Sequence, residues 1–427
     1  MGNFKKDNHT LKHTLYSILI VELIFVIYSY IFFSINHRLP HPFFYNAADS
    51  FMDFFNANYW ANFSQRFTDW GSVYPPLIFL ISKSISPSDC MFINDTVNYR
   101  ECSISSIYLI LFSGILGSIV CSIATVKSIT RKKNTMLIFL LAIAYIFSMP
   151  SLFALERGNY ILLAFALLSL SWYFQNILVR VLFLALAINI KPYLIVISLA
   201  YFLKKQFIFL AYLITLTSLI YLVTAEALND PNHYLIFSNI LNFSTNSNIN
   251  ILEFLSFPTS IFTFFYLADR VFPNFADLFL ALKTLLLTML AIFSIVFISK
   301  NYKVMSVEHI CFFILLAFFI FSNSAGGYAL VLLYPLIPYI YNSSFKPNKF
   351  LLSALIFTFT PLDFDIYTSP NHLLHYFSFI GDNFVSFPAA ITIGTFIRPL
   401  CLFAIFINFC KSYSSSHRLR KDFSYEV

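Results

Sequence analysis

The sequence predicts an all-helical, polytopic integral membrane protein. Of its 427 residues, 59% are hydrophobic and only 11% are charged, and the mean hydropathy is +0.74. Soluble domains carry roughly 25% charged residues, and here the apolar runs extend from one end of the chain to the other. Because the polar gaps between these runs are shorter than the roughly 50 residues of a small soluble domain, we expect a single integral domain.

The lengths of the apolar runs predict the number of membrane crossings. Runs of roughly 20 residues, the length that crosses a bilayer, predict about ten full spans plus short broken or re-entrant helices. Residues 75–86 are too short to cross. Residues 179–203 are interrupted by Lys191 and Pro192, which predicts two short helices that meet near one face. Such breaks are tolerated in a membrane only where the freed backbone is buried or lines a wet cavity.

The basic residues predict the orientation in the membrane. The net charge of +7 comes from short clusters beside apolar runs, so we expect these clusters to face the cytoplasm and not to bind nucleic acid. They place both termini inside. The predicted organisation is one membrane domain over residues 1–410 and a cytoplasmic tail over residues 411–427, with residues 37–77, called the first loop below, on the outer side.

The first loop is the candidate catalytic segment. It carries the charged residues Asp49, Asp53, Arg66 and Asp69 among many aromatic residues, and it ends in the sequence Tyr74-Pro75-Pro76-Leu77. Sugar hydroxyls hydrogen-bond to carboxylates, and the apolar faces of a pyranose pack on aromatic rings. The loop therefore fits a sugar site, although an ordinary hydrated loop between two helices is the simpler alternative.

Four cations fall at or within apolar segments, where a charge is costly and by default suggests function. One of them, Lys283, has Asp277 nearby, and a half-buried ion pair would explain it. Arg157 lies in the turn 156–159, Lys191 at the helix break, and Arg398 close to the middle of the apolar run 386–410. A simple surface turn would explain Arg157, and a snorkelling side chain would explain Lys191. Together with the carboxylates of the first loop, these cations predict a cavity that holds an anionic group, such as the phosphate of a lipid carrier.

Several short motifs occur in order along the chain. They are an aspartate in the first loop (Asp53, or Asp49 one helical turn before it), Tyr74-Pro75-Pro76-Leu77, Arg157-Gly158-Asn159, Lys191-Pro192-Tyr193 and a small-residue turn with a tyrosine at 323–328. In this order they resemble the GT-C class of polyprenyl-phosphate-sugar glycosyltransferases and, within it, glycosyltransferase family 87. The third motif departs from the Arg-Gly-Gln of the family pattern, and residues 329–427 match nothing in it.

The resemblance implies a metal-independent, inverting transfer of one hexose from a polyprenyl-phosphate donor to an acceptor hydroxyl on the outer face, with no cofactor. Asp53 would be the general base, with Asp49 as the alternative. Arg157 and Lys191 would hold the donor phosphate, with help from Arg398. The residues implied to contact the sugar or the acceptor are Tyr74, Trp70, Asn159 and Tyr328.

The resemblance also implies partners and a location. The partners would be the lipid-linked donor, a glycan or glycolipid acceptor such as bacterial lipopolysaccharide O antigen, and membrane lipids. The location would be the bacterial inner membrane. A polymerase or ligase of lipid-linked glycans is one alternative function, although the segment 230–257 lacks the arginines usual in such proteins. A lipid or solute transporter or flippase is the other, although the chain shows no internal repeat.

Three weaker features leave alternatives open. Cys90 and Cys102 flank a polar segment and would form a disulfide if that segment faces an oxidising compartment. His372 and His375 have the spacing of metal ligands on one helix face, but acceptor binding or a solvated loop is the preferred interpretation. Trp70 would stack on a sugar or lie in an interfacial aromatic belt.

Overall fold

The computed structural model describes residues 2–36, 39–40, 43, 50–92, 102, 104–130, 134–245, 259–265, 268, 272–322, 327–342, 360, 365–377 and 384–423. Within these residues the regular elements are helices, apart from one two-stranded hairpin. The helical membrane class is therefore confirmed for the body of the protein. The hairpin is a feature that the sequence analysis did not predict.

The first half of the chain contains nine helices within the described residues. They are α1 (Gly2–Asn36), α2 (Met52–Trp60), α3 (Pro76–Ile85), α4 (Tyr108–Thr130), α5 (Thr135–Phe147), α6 (Met149–Glu156), α7 (Ile161–Tyr173), α8 (Ile177–Ile188) and α9 (Ser198–Leu203). Short 3₁₀ segments lie at Ser64–Arg66, Ser88–Phe92, Ile104–Ile107 and Pro192–Ile197.

The described residues after 203 contain six further helices and the two strands of the hairpin. They are α10 (Phe207–Ala227), α11 (Ile236–Thr245), α12 (Ala276–Asn301), α13 (Val307–Phe321), α14 (Ile337–Asn342), β1 (Asp365–Phe377), β2 (Phe384–Thr392) and α15 (Ile393–Phe423). The 3₁₀ segments here are His233–Leu235, Pro273–Phe275 and Gly327–Leu336.

Five helices among the described residues are long and apolar enough to cross a membrane. Their crossing segments are Leu15–Asn36, Tyr108–Ser128, Phe207–Ala227, Ala276–Asn301 and Ile393–Tyr413. The pair α5 and α6, bent by 51° between Phe147 and Met149, passes the same test as one broken span. The protein is therefore a multi-pass membrane protein. The predicted count of about ten full spans is not confirmed, because the other apolar helices are shorter than the roughly 20 residues of a full crossing.

Prolines produce the helix breaks near the site. Lys191 has the extended conformation that a residue preceding proline favours. The helix α8, which ends at Ile188, therefore does not continue through Lys191, and a 3₁₀ segment begins at Pro192. The break predicted at these two residues is confirmed. Pro75 is extended and Pro76 occupies the first position of α3, where its missing N–H costs no helical hydrogen bond.

The packed core surrounds α7. Most residues of this short helix are buried, which is typical of a helix enclosed by other helices. Tyr334, from the 3₁₀ segment Gly327–Leu336, packs edge-on against Phe165 of α7 and donates a 2.6 Å hydrogen bond to Ser148 at the bend between α5 and α6. These contacts fix the direction of α6, and α6 leads directly to Arg157.

The C-terminal part corrects two expectations. Residues 386–392, expected to begin a span, instead belong to β2, which pairs antiparallel with β1 from Phe377↔Phe384 to Asp365↔Thr392. The segment is rich in β-branched and aromatic residues, which favour strands. Arg398 therefore lies in the second turn of α15 and not near the middle of its span. α15 continues to Phe423, and no proline or glycine occurs between residues 400 and 423. The expected division into a membrane domain and a tail at 410 and 411 stays a prediction.

Candidate functional site

The turn between α6 and α7 packs directly on the start of α2. The backbone N–H of Phe51 donates to the carbonyl of Glu156 over 2.6 Å, and that of Asp53 donates to the carbonyl of Arg157 over 3.0 Å. Two of the backbone N–H groups that a helix start leaves unsatisfied are thereby bonded to the turn. The first loop is therefore held against the Arg157-Gly158-Asn159 motif by the main chain.

Gly158 permits this close approach. Its φ is +62°, a left-handed conformation that is costly for residues with a Cβ. A Cβ added here would lie 2.9 Å from Cβ of Phe54 and 3.0 Å from Cα of Phe51. Phe51 itself has a φ of +63°, which is unusual for a bulky residue. Backbone strain of this kind persists where surrounding contacts enforce it, and it is concentrated at functional sites.

The carboxylate of Asp53 is held by a different donor on each oxygen. Nη2 of Arg157 donates to Oδ1 over 3.0 Å, and Nδ2 of Asn159 donates to Oδ2 over 2.6 Å. The Arg157 side chain is only 6% exposed, whereas that of Asp53 is 20% exposed. The carboxylate is thus fixed in orientation from the protein side while part of it remains open to solvent.

Asn159 joins this carboxylate to two other elements. Its Oδ1 accepts a 2.9 Å hydrogen bond from the N–H of Ile161 at the start of α7, and its Nδ2 also lies 3.5 Å from the hydroxyl of Tyr74. The side chain therefore connects Asp53, Tyr74 and α7. Its geometry explains why an amide serves at this position, since both a donor and an acceptor are used.

Lys191 adds a second buried cation. Its Nζ lies 4.8 Å from the centre of the Tyr74 ring, in a cation–π contact. Burial lowers the pKa of Lys191 to about 8, and the negative charge of Asp53 acts in the opposite direction. Burial also raises the pKa of Tyr74 well above its usual value, with further contributions from Asp53 and Tyr328. The phenol of Tyr74 is therefore a neutral hydrogen-bonding group at physiological pH.

The structure thus brings together five of the nine predicted site residues and places a sixth at their edge. The other three lie elsewhere or outside the described residues. Asp53, Arg157, Asn159, Tyr74 and Lys191 form the cluster described above, which we call the Asp53 cluster. Tyr328 acts electrostatically on Tyr74 and packs against Phe153 of α6, so it lies at the edge of the cluster. Asp49 lies outside the described residues.

Arg398 and Trp70 belong to other surroundings. Arg398 is completely buried in α15, and it is not among the charged groups that act on Tyr74 or Lys191 within the described residues. Trp70 stacks on Trp60 with ring centres 5.6 Å apart, at the opposite end of α2 from Asp53. His372 and His375 lie in β1, so the expectation that they share a helix face is wrong.

A hydrogen-bonded group beneath the cluster was missed by the sequence analysis. The hydroxyl of Tyr160 donates to Oδ1 of Asn58 over 3.0 Å and lies 2.6 Å from Oγ of Ser82, so it joins α2 to α3. Its ring also stacks on Phe54 with centres 5.6 Å apart. The position of Tyr160 directly after the Arg-Gly-Asn turn was the available signal.

A buried ion pair holds the later part of the first loop. Nε of Arg66 lies 3.5 Å from Oδ2 of Asp230, and the two side chains are 5% and 1% exposed. Nearby, Nδ2 of Asn239 in α11 donates to the carbonyls of Phe67 and Ser72 over 2.9 and 3.1 Å. The segment that follows α10 therefore holds the part of the loop that leads to Tyr74. Arg66 stood out in the sequence as a charged residue of the first loop, but its partner Asp230 did not.

Comparison with known proteins gives no relative for this arrangement. No protein-family model, curated protein or solved structure matches the chain.

Proposed function

We propose that the protein is a membrane glycosyltransferase that moves one hexose from a polyprenyl-phosphate donor to an acceptor hydroxyl on the outer face of the membrane. The observation that carries this proposal is the Asp53 cluster. A partly exposed carboxylate lies against a buried guanidinium and near a buried ammonium. The resemblance of the motifs to the GT-C class and family 87 gives this geometry its chemical interpretation.

The proposed reaction uses one carboxylate. The oxygen of the acceptor hydroxyl attacks the anomeric carbon and forms the new C–O bond, with inversion at that carbon. The bond between the anomeric carbon and the phosphate oxygen breaks, and the polyprenyl phosphate leaves with the electron pair. Asp53 accepts the proton of the hydroxyl.

The cations fit the requirements of the leaving group. Negative charge develops on the departing phosphate, and donors already fixed in a water-poor site stabilise such charge strongly. Arg157 can offer a planar, two-pronged contact to phosphate oxygens, and Lys191 a compact positive charge. As the phosphate attracts the guanidinium of Arg157, the hydrogen bond from Arg157 to Oδ1 of Asp53 weakens. This oxygen then becomes available to accept the proton of the acceptor hydroxyl. The expected help from Arg398 stays a prediction, because within the described residues its guanidinium is not among the charges that act on Tyr74 or Lys191.

The disulfide supports placing the cluster on the outer side. Cys90 and Cys102 are bonded in the structure, as the sequence analysis anticipated, and disulfides persist in oxidising compartments. Along the chain, only the helix α3 lies between the first loop and the disulfide. This helix has 10 residues and is about 15 Å long, which is too short to cross a bilayer. Asp53 therefore lies on the same side as the disulfide. A bacterial inner membrane location and an O-antigen-like acceptor are proposed from the resemblance, and cytoplasmic termini are proposed from the basic clusters.

An assay of the product tests the proposal. Purified protein in lipid vesicles is incubated with radiolabelled polyprenyl-phosphate hexoses and with glycolipid extracts as acceptors. We expect the label to move to the acceptor, one hexose per chain. A ladder of long products would indicate a polymerase instead, and intact donor that has changed leaflet would indicate a flippase.

A further inference from the structure

The helix α11 packs one side, with Ile236, Asn239 and Ile240, against the protein. Its other side is exposed and carries two large apolar residues, with Ser238 and Asn242 beside them. Asn239 faces inward, where it binds two carbonyls of the first loop, and Ile236 is buried. Tyr234, just before the helix, is 59% exposed, and Phe237 and Leu241 are 64% and 66% exposed. The spacing of Phe237 and Leu241 places both on one face of the helix.

The contacts of Phe237 show how far this exposed face lies from the end of the neighbouring span, α10. Its ring lies 6.1 Å from the ring of Tyr221 in α10, and the Tyr221 hydroxyl donates to the carbonyl of His233 over 2.9 Å. Tyr221 is six residues before Ala227, where α10 ends, so the contact lies about 9 Å below the end of that span at 1.5 Å per residue. Amphipathic helices in membrane interfaces bury their apolar face by roughly 5–10 Å.

The neighbouring surface of α10 also exposes large apolar residues. Leu222 and Val223 are 59% and 56% exposed, and they line an open groove of about 390 Å³ together with Ala225, Glu226 and His233. The exposed side of α11 is therefore continuous with the lipid-facing side of a membrane span. This continuity identifies the bilayer as the surface that covers it.

We propose that α11 lies in the plane of the membrane interface, with Tyr234, Phe237 and Leu241 inserted among the lipid chains. The residues 236–245 include no charged side chain, so the occupant is the apolar region of the bilayer and not a particular headgroup. Through Asn239 and the Arg66–Asp230 ion pair, this anchor holds the first loop at the membrane surface. The inference does not depend on the transfer of a sugar.

Site-directed fluorescence tests the inference. Single cysteines replace Phe237, Leu241 or Asp69 in a Cys401→Ser background, because Cys401 is the one free cysteine that is not buried. Each carries an environment-sensitive fluorophore in phosphatidylcholine vesicles. The label at 69 is the control, because Asp69 is exposed in the first loop. We expect nitroxide-labelled lipid to quench the labels at 237 and 241 several-fold more strongly than the label at 69. We also expect the labels at 237 and 241 to be shielded from aqueous iodide.

A second variant retains an aromatic ring and needs no label. In Phe237→Trp, the added indole should be quenched by brominated phosphatidylcholine, so that the quenched fraction of tryptophan emission exceeds that of the parent protein. The same depth is expected in zwitterionic and anionic vesicles, because the helix carries no charge. Iodide quenching at 237 and 241 equal to that at 69, or no added quenching in Phe237→Trp, would overturn the proposal.

Discussion

Arg157 donates a 3.0 Å hydrogen bond to the carboxylate of Asp53, although 104 residues separate the two in sequence. This contact joins the first loop to the turn between α6 and α7, and two backbone hydrogen bonds fix it further. A carboxylate from the first loop and a cation from a helix end are thereby brought together in one cluster.

The first prediction concerns the tight turn. Gly158→Ala should destabilise the protein and reduce transfer, because it adds left-handed strain of about 1–2 kcal/mol and also a collision with Phe54 and Phe51. Gly71→Ala is the matched control, since Gly71 has a φ of +54° but no atom within 4 Å of an added Cβ. Thermal unfolding in detergent measures both. Equal losses in the two variants would show that the close approach at Gly158 contributes nothing.

The second prediction concerns Lys191 and pH. Its pKa of about 8 means that the ammonium is present below pH 8 and is lost as the pH rises through that value. We therefore expect kcat/KM for the donor to fall above pH 8, by about tenfold for each pH unit if the cation is essential. In Lys191→Arg this decline should move beyond the accessible range, because arginine stays charged. A decline at the same pH in both proteins would exclude Lys191 as its cause.

The third prediction concerns the buried ion pair. Asp230→Asn leaves the cation of Arg66 buried without its countercharge, which should cost about 3–5 kcal/mol of folding stability. Glu226→Gln, a change at an exposed acidic residue nearby, should cost less than about 0.5 kcal/mol. Replacing both Arg66 and Asp230 with apolar residues should recover much of the loss. Thermal unfolding measures these losses. If the Asp230→Asn variant unfolds at the same temperature as the parent protein, the Arg66–Asp230 ion pair does not anchor the first loop.

Local patterns predicted the helix breaks and much of the cluster. Pro192 forces Lys191 out of the helix, and Arg157-Gly158-Asn159 interrupts two apolar runs, so each could be read from neighbouring residues alone. The carboxylate of Asp53 was identified as a candidate, although sequence could not show which donors hold it. That pairing depends on how α2 packs against a turn far along the chain.

Other features depend on tertiary contacts that leave little trace in sequence. Asp230 is an unremarkable residue at the start of a loop, and only the return of the chain after α10 brings it to Arg66. Arg398 was expected near the middle of a span because residues 386–392 are apolar, yet these residues pair with β1 as a strand. Short apolar runs do not distinguish strand from helix by periodicity.

The most direct test of the central claim compares Asp53→Asn with Asp69→Asn in the labelled-donor assay. Both changes remove one carboxylate from the first loop, but Asp69 is exposed and lies outside the Asp53 cluster. With thermal unfolding and donor binding monitored in parallel, we expect Asp53→Asn to lower the rate of transfer by about 100-fold or more, as for loss of a general base, and Asp69→Asn to leave it unchanged. A folded Asp53→Asn variant that transfers the hexose at the parent rate would contradict the account and direct attention to Asp49.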